Sequence, residues 1–240
     1  SINFDNEGAM LIHFGEKGIT TNAQDMRSPL GKIIRLLPNR DPEGSGYDVP
    51  GDNPFLEGES NPLVYAYGLR NPWRGVYGPC GRYWIAEVGS SKFEEINMLK
   101  PGANYGWPKS EGVCEEQCDG IIDPVISYDH TAEHAYVQED PAATTSKFRT
   151  IWICSGYDAR LSGTDPYQGA LKYDLIFGDM FAGWVRGAAL DADGALSENN
   201  MLGHLPFVTS CQQGRDGYLY MGTMFTANKV DQDGNPAFND

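Results

Sequence analysis

Apolar and polar residues alternate along this chain in short runs, and each run opens on a turn. Asp5-Asn6-Glu7-Gly8 precedes Ala9-Met10-Leu11-Ile12, Pro79-Cys80-Gly81 precedes Arg82-Tyr83-Trp84-Ile85-Ala86, and Arg215-Asp216-Gly217 precedes Tyr218-Leu219-Tyr220-Met221-Gly222. Glycine supplies the positive φ of a tight turn, and period-two alternation supplies one buried face, so each stretch predicts a hairpin opening a half-buried strand. Leu190-Asp191-Ala192-Asp193-Gly194 predicts a fourth. No stretch keeps apolar residues at i, i+3, i+4 and i+7 beyond about two turns, so long helices are not expected. A hairpin-plus-strand unit repeated every few tens of residues predicts a propeller or related array. Two long polar connections, Asn39 to Ser60 and Gly112 to Thr150, are the segments in which function is expected to concentrate.

Composition agrees. With 240 residues and 40% hydrophobic content the chain can bury a sizeable core, and 29 glycines with 15 prolines suit many short elements joined by turns. Acidic residues outnumber basic ones 33 to 18, a net charge of -15, which repels phosphate backbones and anionic membranes and argues against a nucleic-acid partner. No apolar run reaches the roughly 18 residues of a membrane span. The first residues lack Met and already read as the inside of a β-domain, so a processed or partial chain is expected. Five cysteines are present. Cys114 and Cys118 share a Glu-rich loop without a zinc-ligand pattern and are expected to form a local disulfide, which implies an oxidising compartment and an extracellular or periplasmic location.

Three ordered motifs carry a resemblance. The first is Leu30-Gly31-Lys32-Ile33-Ile34-Arg35-Leu36 with Asp52-Asn53-Pro54-Phe55, and the second is Tyr67-Gly68-Leu69-Arg70-Asn71-Pro72-Trp73. The third runs from Ala86-Glu87-Val88-Gly89 through Glu94-Glu95-Ile96-Asn97 to Gly102-Ala103-Asn104-Tyr105-Gly106-Trp107-Pro108 and Glu111-Gly112. In this order they resemble the glucose/sorbosone dehydrogenase family, soluble quinoproteins that oxidise sugars with pyrroloquinoline quinone (PQQ) and calcium. Pro124 to His130, Phe177-Gly178-Asp179 and Asp216 to Tyr220 resemble later family segments more loosely. The cysteine loop also looks like the secreted hedgehog-interacting-like branch. The resemblance implies an all-β, six-bladed β-propeller, of which residues 1–240 would form the C-terminal roughly four blades of one domain.

It also implies a site. Arg70 and Asn71 match the pair that reaches the quinone, where a planar guanidinium suits a carboxylate; read alone, they would structure a turn before Pro72. Gly89 and Ser90 match the residues whose backbone carbonyls ligate calcium, an ion that accepts carbonyl oxygen; read alone, Gly89 would be a strand-to-loop turn. The family's catalytic His falls immediately upstream of Ser1. Ser155 stands where a Lys or Arg usually faces the quinone, and Trp184 stands near a second cationic position for which Arg186, two residues on, could substitute. His13 alternates with apolar neighbours as a structural histidine would. His130 with His134, and the Asp231-x-Asp233-Gly234 run, are poor metal-site candidates, and His204 has no evident partner. Three functions stay open: oxidation of an aldose or related sugar, a secreted non-catalytic propeller with a protein or glycan partner, and carbohydrate binding on Trp73, Trp107 and Trp184.

Overall fold

The computed structural model describes residues 1–41, 43–79, 81–130 and 148–224. It is built from antiparallel sheets whose strands follow one another in sequence, the blade repeat of a β-propeller, as the hairpin pattern predicts. In the first sheet, β1 (Ile2–Phe4), β2 (Met10–Phe14), β3 (Lys32–Pro38) and β5 (Val64–Tyr67) lie in that order, with the two-residue β4 (Tyr47–Asp48) pairing the end of β3. The second runs β6 (Pro72–Tyr77), β7 (Tyr83–Glu87), β8 (Phe93–Met98) and β9 (Ile126–Asp129). The third runs β10 (Ile151–Ser155), β11 (Leu175–Asp179), β12 (Trp184–Leu190) and β13 (Leu196–His204), and a two-stranded sheet pairs β14 (Val208–Gln213) with β15 (Leu219–Thr223). The only α-helix among the described residues is the four-residue α1 (Ala159–Ser162). Contacts divide the chain into two compact units, residues 1–75 with 83–127 and residues 76–82 with 128–240.

All four predicted hairpins share one geometry. The N–H donors of Asp5, Gly78, Asp191 and Gly214 reach the carbonyl four residues on, and the N–H of Gly8, Gly81, Gly194 and Gly217 closes back on that same first residue. Each of those glycines has φ between 78° and 88°, the left-handed conformation that a three-residue hairpin loop requires at that position. In two of them the Asp that opens the turn accepts two further backbone N–H bonds: Asp5 from Glu7 and Ala9, and Asp191 from Asp193 and Ala195.

Burial grades across a sheet, as β10 to β13 show. Ile151, Trp152, Ile153 and Cys154 of β10 and every residue of β11 are buried, while β13 (Leu-Ser-Glu-Asn-Asn-Met-Leu-Gly-His) is largely exposed. A continuous apolar run marks a strand covered on both faces, and the polar composition of β13 suits an outer edge. Trp184 packs edge-on against Tyr128 and Phe177, with ring centroids 4.8 and 5.7 Å away. It is 1% exposed, so it is a core residue and offers no platform for a sugar; Trp73, at 40% exposed, does reach solvent.

His13 is indeed structural. Burial pushes its pKa down to about 3, and its two ring nitrogens meet the Pro72 carbonyl at 3.2 Å and the Tyr83 hydroxyl at 2.8 Å. Arg35 ties the first sheet to its loops, with its buried guanidinium contacting Asp5, Glu7 and Asp52 at 2.7, 2.6 and 2.5 Å.

Candidate cofactor site

Two loops of the first unit lie side by side. Residues 68–71 lead from β5 to β6 and residues 88–92 lead from β7 to β8; they are joined by the Val88 N–H donating to the Asn71 carbonyl at 3.0 Å. Glu87 ends β7 directly opposite Glu95 on β8. Its Oε1 accepts the backbone N–H of Arg70 at 2.8 Å and of Asn71 at 2.5 Å, so a buried carboxyl fixes the main chain of the two residues matched to the quinone. Arg70 reaches back over this anchor: its Nη1 donates to the carbonyls of Val88 at 3.0 Å and Gly89 at 2.6 Å. The guanidinium carbon lies 6.0 Å from the centre of the Trp107 ring, within cation–π range.

The second loop is fixed by another carboxylate. Glu111 Oε1 accepts the N–H groups of Ser90, Ser91, Lys92 and Phe93 at 2.7, 3.0, 2.9 and 3.2 Å. Burial acts to raise the Glu111 pKa, but these four bonds outweigh it and hold the pKa below the ordinary value. Gly89 is required by space: a Cβ there would collide with the Phe93 carbonyl oxygen. Ser90 is exposed and contributes only main chain to the turn.

Glu87 and Glu95 have the opposite electrostatics. Desolvation, with Glu95 facing it, raises Glu87 well above the usual carboxylate range against the two N–H bonds it accepts. Desolvation pushes Glu95 up to about 7, opposed by hydrogen bonds from Asn97 at 2.9 Å and the Gly112 N–H at 2.6 Å. Glu87, Glu95, Glu111, Arg70 and Trp107 line a cavity of about 10 Å³, space for roughly one water.

The residues fit an anionic, carboxylate-bearing cofactor. Nε and Nη2 of Arg70 and the side-chain amide of Asn71 make no hydrogen bond among the described residues, and the buried indole N–H of Trp107 lacks a partner. The two free nitrogens of the Arg70 guanidinium are donors without acceptors in the described structure. Calcium at Gly89 would have to use the lone pair that Arg70 leaves on that carbonyl. Among the described residues no three His, Cys, Asp or Glu side chains converge to hold a metal, so a cation here would rest on backbone oxygen.

Arg70 and Asn71, in one loop, and Gly89 and Ser90, in the other, thus lie in adjacent loops. Arg186 belongs to the second unit, 2% exposed on β12, where its Nε and Nη2 donate to the side-chain and main-chain oxygens of Asn199, both at 2.6 Å. The Phe177-Gly178-Asp179 segment is β11, and Asp179 is a buried structural acceptor for Tyr128, Thr150, Phe181 and Ala182. Cys114 and Cys118 form the expected disulfide. Cys80, His134 and residues 231–234 lie outside the described residues. Sequence reasoning treated Glu87, Glu95 and Glu111 only as motif letters; the signal available was a Glu closing the fully apolar run Tyr83-Trp84-Ile85-Ala86.

The family model described as Glucose / Sorbosone dehydrogenase matches residues 1–230. Among curated proteins, the HIPL1 protein of Arabidopsis thaliana is 35% identical over 205 residues, 73% of this chain and 28% of its own length. Aldose sugar dehydrogenase YliI of Escherichia coli is 35% identical over 107 residues, 44% of this chain and 27% of its own. A solved glucose dehydrogenase superposes with a TM-score of 0.69 at 25% identity, covering 93% of this chain and 59% of that one. The PQQ-bound aldose sugar dehydrogenase of Streptomyces coelicolor gives 0.64 at 23%, covering 98% and 58%. The chain thus spans little more than a quarter of the plant relative and about three-fifths of the solved structures.

Proposed function

The chain belongs to the glucose/sorbosone dehydrogenase family, and on that premise we propose that the protein oxidises an aldose or related sugar with PQQ and calcium. The observation that carries this reading is the Arg70 guanidinium, held at the Gly89 carbonyl over the Trp107 ring with Nε and Nη2 unpaired among the described residues. PQQ, when bound, supplies the hydride acceptor. Arg70 offers Nε and Nη2 as a fork to a cofactor carboxylate or carbonyl, and Asn71 offers its amide alongside. Trp107 holds the guanidinium from below, and Glu87 holds the main chain of both donors, so little ordering is left to binding. On this reading calcium would take the carbonyls of Gly89 and Ser90 at the turn that Glu111 holds, sharing the Gly89 oxygen with Arg70. The sugar-hydroxyl base expected by resemblance would precede Ser1. The disulfide supports an extracellular or periplasmic location.

The test is dye-linked turnover. Full-length protein loaded with PQQ and calcium is given a panel of aldoses and an artificial electron acceptor. Sugar-dependent reduction that Arg70→Ala loses supports the reading; no reduction by cofactor-saturated protein with any sugar sinks it.

A second reading, a non-catalytic propeller with a protein or glycan partner, is favoured by one observation. Arg186, the candidate replacement for a second cationic contact, is committed to Asn199, and Ser155 supplies no charge. On that reading, PQQ would not bind at all.

A further inference from the structure

The second unit contains two thiols that the redox chemistry above does not use. Cys154, on β10, is 0% exposed, and Cys211, on β14, is half-buried; neither is in a disulfide. They are far apart in sequence, yet Cys211 packs against the apolar cluster that holds Cys154 with Trp152, Ile176 and Val208, where β10 and β14 lie in contact.

Fixed contacts flank this meeting point. Before Cys211, the Phe207 N–H donates to the Met180 carbonyl at 2.6 Å. Beyond it, Gln213 clamps the segment that follows β10: it accepts from the Asp158 N–H at 3.0 Å and donates to the Asp158 carbonyl at 2.9 Å. These bonds fix both ends of β14, which carries Cys211, against the unit that carries Cys154.

We propose that Cys154 and Cys211 are an oxidisable pair that closes into a disulfide joining β10 to β14, with a low-molecular-weight disulfide as the oxidant. Cys211, the accessible member, gives its proton to solvent and attacks one sulfur of the oxidant. The oxidant's S–S bond breaks and its first thiolate leaves to take up a proton. Cys154 then loses its proton and attacks the Cys211 sulfur, expelling the second thiol. Two protein thiols lose two electrons and two protons, and one small disulfide becomes two thiols. The order follows from access: Cys154 is fully buried while Cys211 reaches solvent, and the neighbouring Cys211 together with burial holds the Cys154 pKa high, so Cys154 is a poor first nucleophile and acts as the resolving thiol.

Trypsin separates the relevant cysteines. Cys154 falls on peptide 150–160, Cys211 on 187–215, Cys80 on 75–82, and Cys114 with Cys118 share one peptide. Native full-length protein is exposed to oxidised glutathione, blocked with iodoacetamide and digested without reductant. The expected result is peptide 150–160 linked to 187–215 in the monomeric protein, released by reductant, with neither peptide recovered alkylated. The proposal is overturned by three outcomes: both peptides alkylated, glutathione retained on Cys211 with Cys154 free, or either cysteine linked to the Cys80 peptide. Cys211→Ser provides a second reading: its buried Cys154 should take up no glutathione under conditions that fully convert the parent. Rapid glutathionylation of Cys154 in that variant would contradict the assigned order.

Discussion

Glu95→Gln separates the electrostatics of the candidate site from its packing. The Glu95 carboxyl is buried and its pKa is pushed from 4.5 up to about 7, so the folded protein keeps a proton that the unfolded chain releases. The penalty is absent below pH 4.5, grows as pH rises towards 7, and is complete above it. The span converts to roughly 3 kcal/mol of stability lost between the two limits. Glutamine mimics the protonated side chain: it can accept from the Gly112 N–H, and once the Asn97 amide, which donates to Glu95 through Nδ2, turns over, the Gln amide can donate to Asn97 Oδ1, which otherwise lacks a partner. Urea denaturation of calcium-free protein at a series of pH values is the assay. Wild type and variant should agree within about 1 kcal/mol near pH 5, and the variant should gain by up to about 3 kcal/mol near pH 8. Parallel curves, or a variant that is the less stable at high pH, would refute the reasoning.

Gly89→Ala forces a methyl group onto the Phe93 carbonyl and should lower stability by about 1–3 kcal/mol, measured by urea denaturation, while distorting the turn enough to weaken PQQ binding. Arg35→Ala leaves Asp5 and Asp52 without the guanidinium that holds both carboxylates below their ordinary pKa; Glu7 and Asp52 stay solvated, so the loss is mainly the charge-assisted bond to Asp5, about 1.5–3 kcal/mol, and the thermal midpoint should fall accordingly. Arg70→Ala removes charge-assisted bonds worth about 1.5–3 kcal/mol, so the PQQ dissociation constant should rise by roughly 10- to 150-fold with the fold retained, as circular dichroism would show.

The hairpins were legible because a turn that needs left-handed backbone writes Gly at a fixed offset, often with an Asp three residues before it to accept the loose N–H groups. The matched motifs pointed to Arg70 and Gly89 because both lie in loops whose residues are spelled out contiguously. What holds them was hidden. Glu87 meets the Arg70 N–H only once β7 is seated beside the preceding loop, and Glu111 meets Ser90 only once the chain beyond β8 has turned back. Trp184 was open to misreading for the complementary reason: an aromatic residue in a strand looks alike as a sugar platform and as core, and only packing against Tyr128 and Phe177 decides it. Cys154 and Cys211 carry no local signal, since their approach depends on how β10 and β14 are seated.

The central claim is that Arg70, Asn71 and the Gly89 turn form a quinone site. Isothermal titration of the full-length protein with PQQ, in calcium and then in chelator, tests it most directly. The account predicts saturable one-to-one binding that calcium strengthens and Arg70→Ala weakens at least tenfold, about 1.4 kcal/mol; no heat of binding with calcium in excess, or binding indifferent to Arg70, would contradict it.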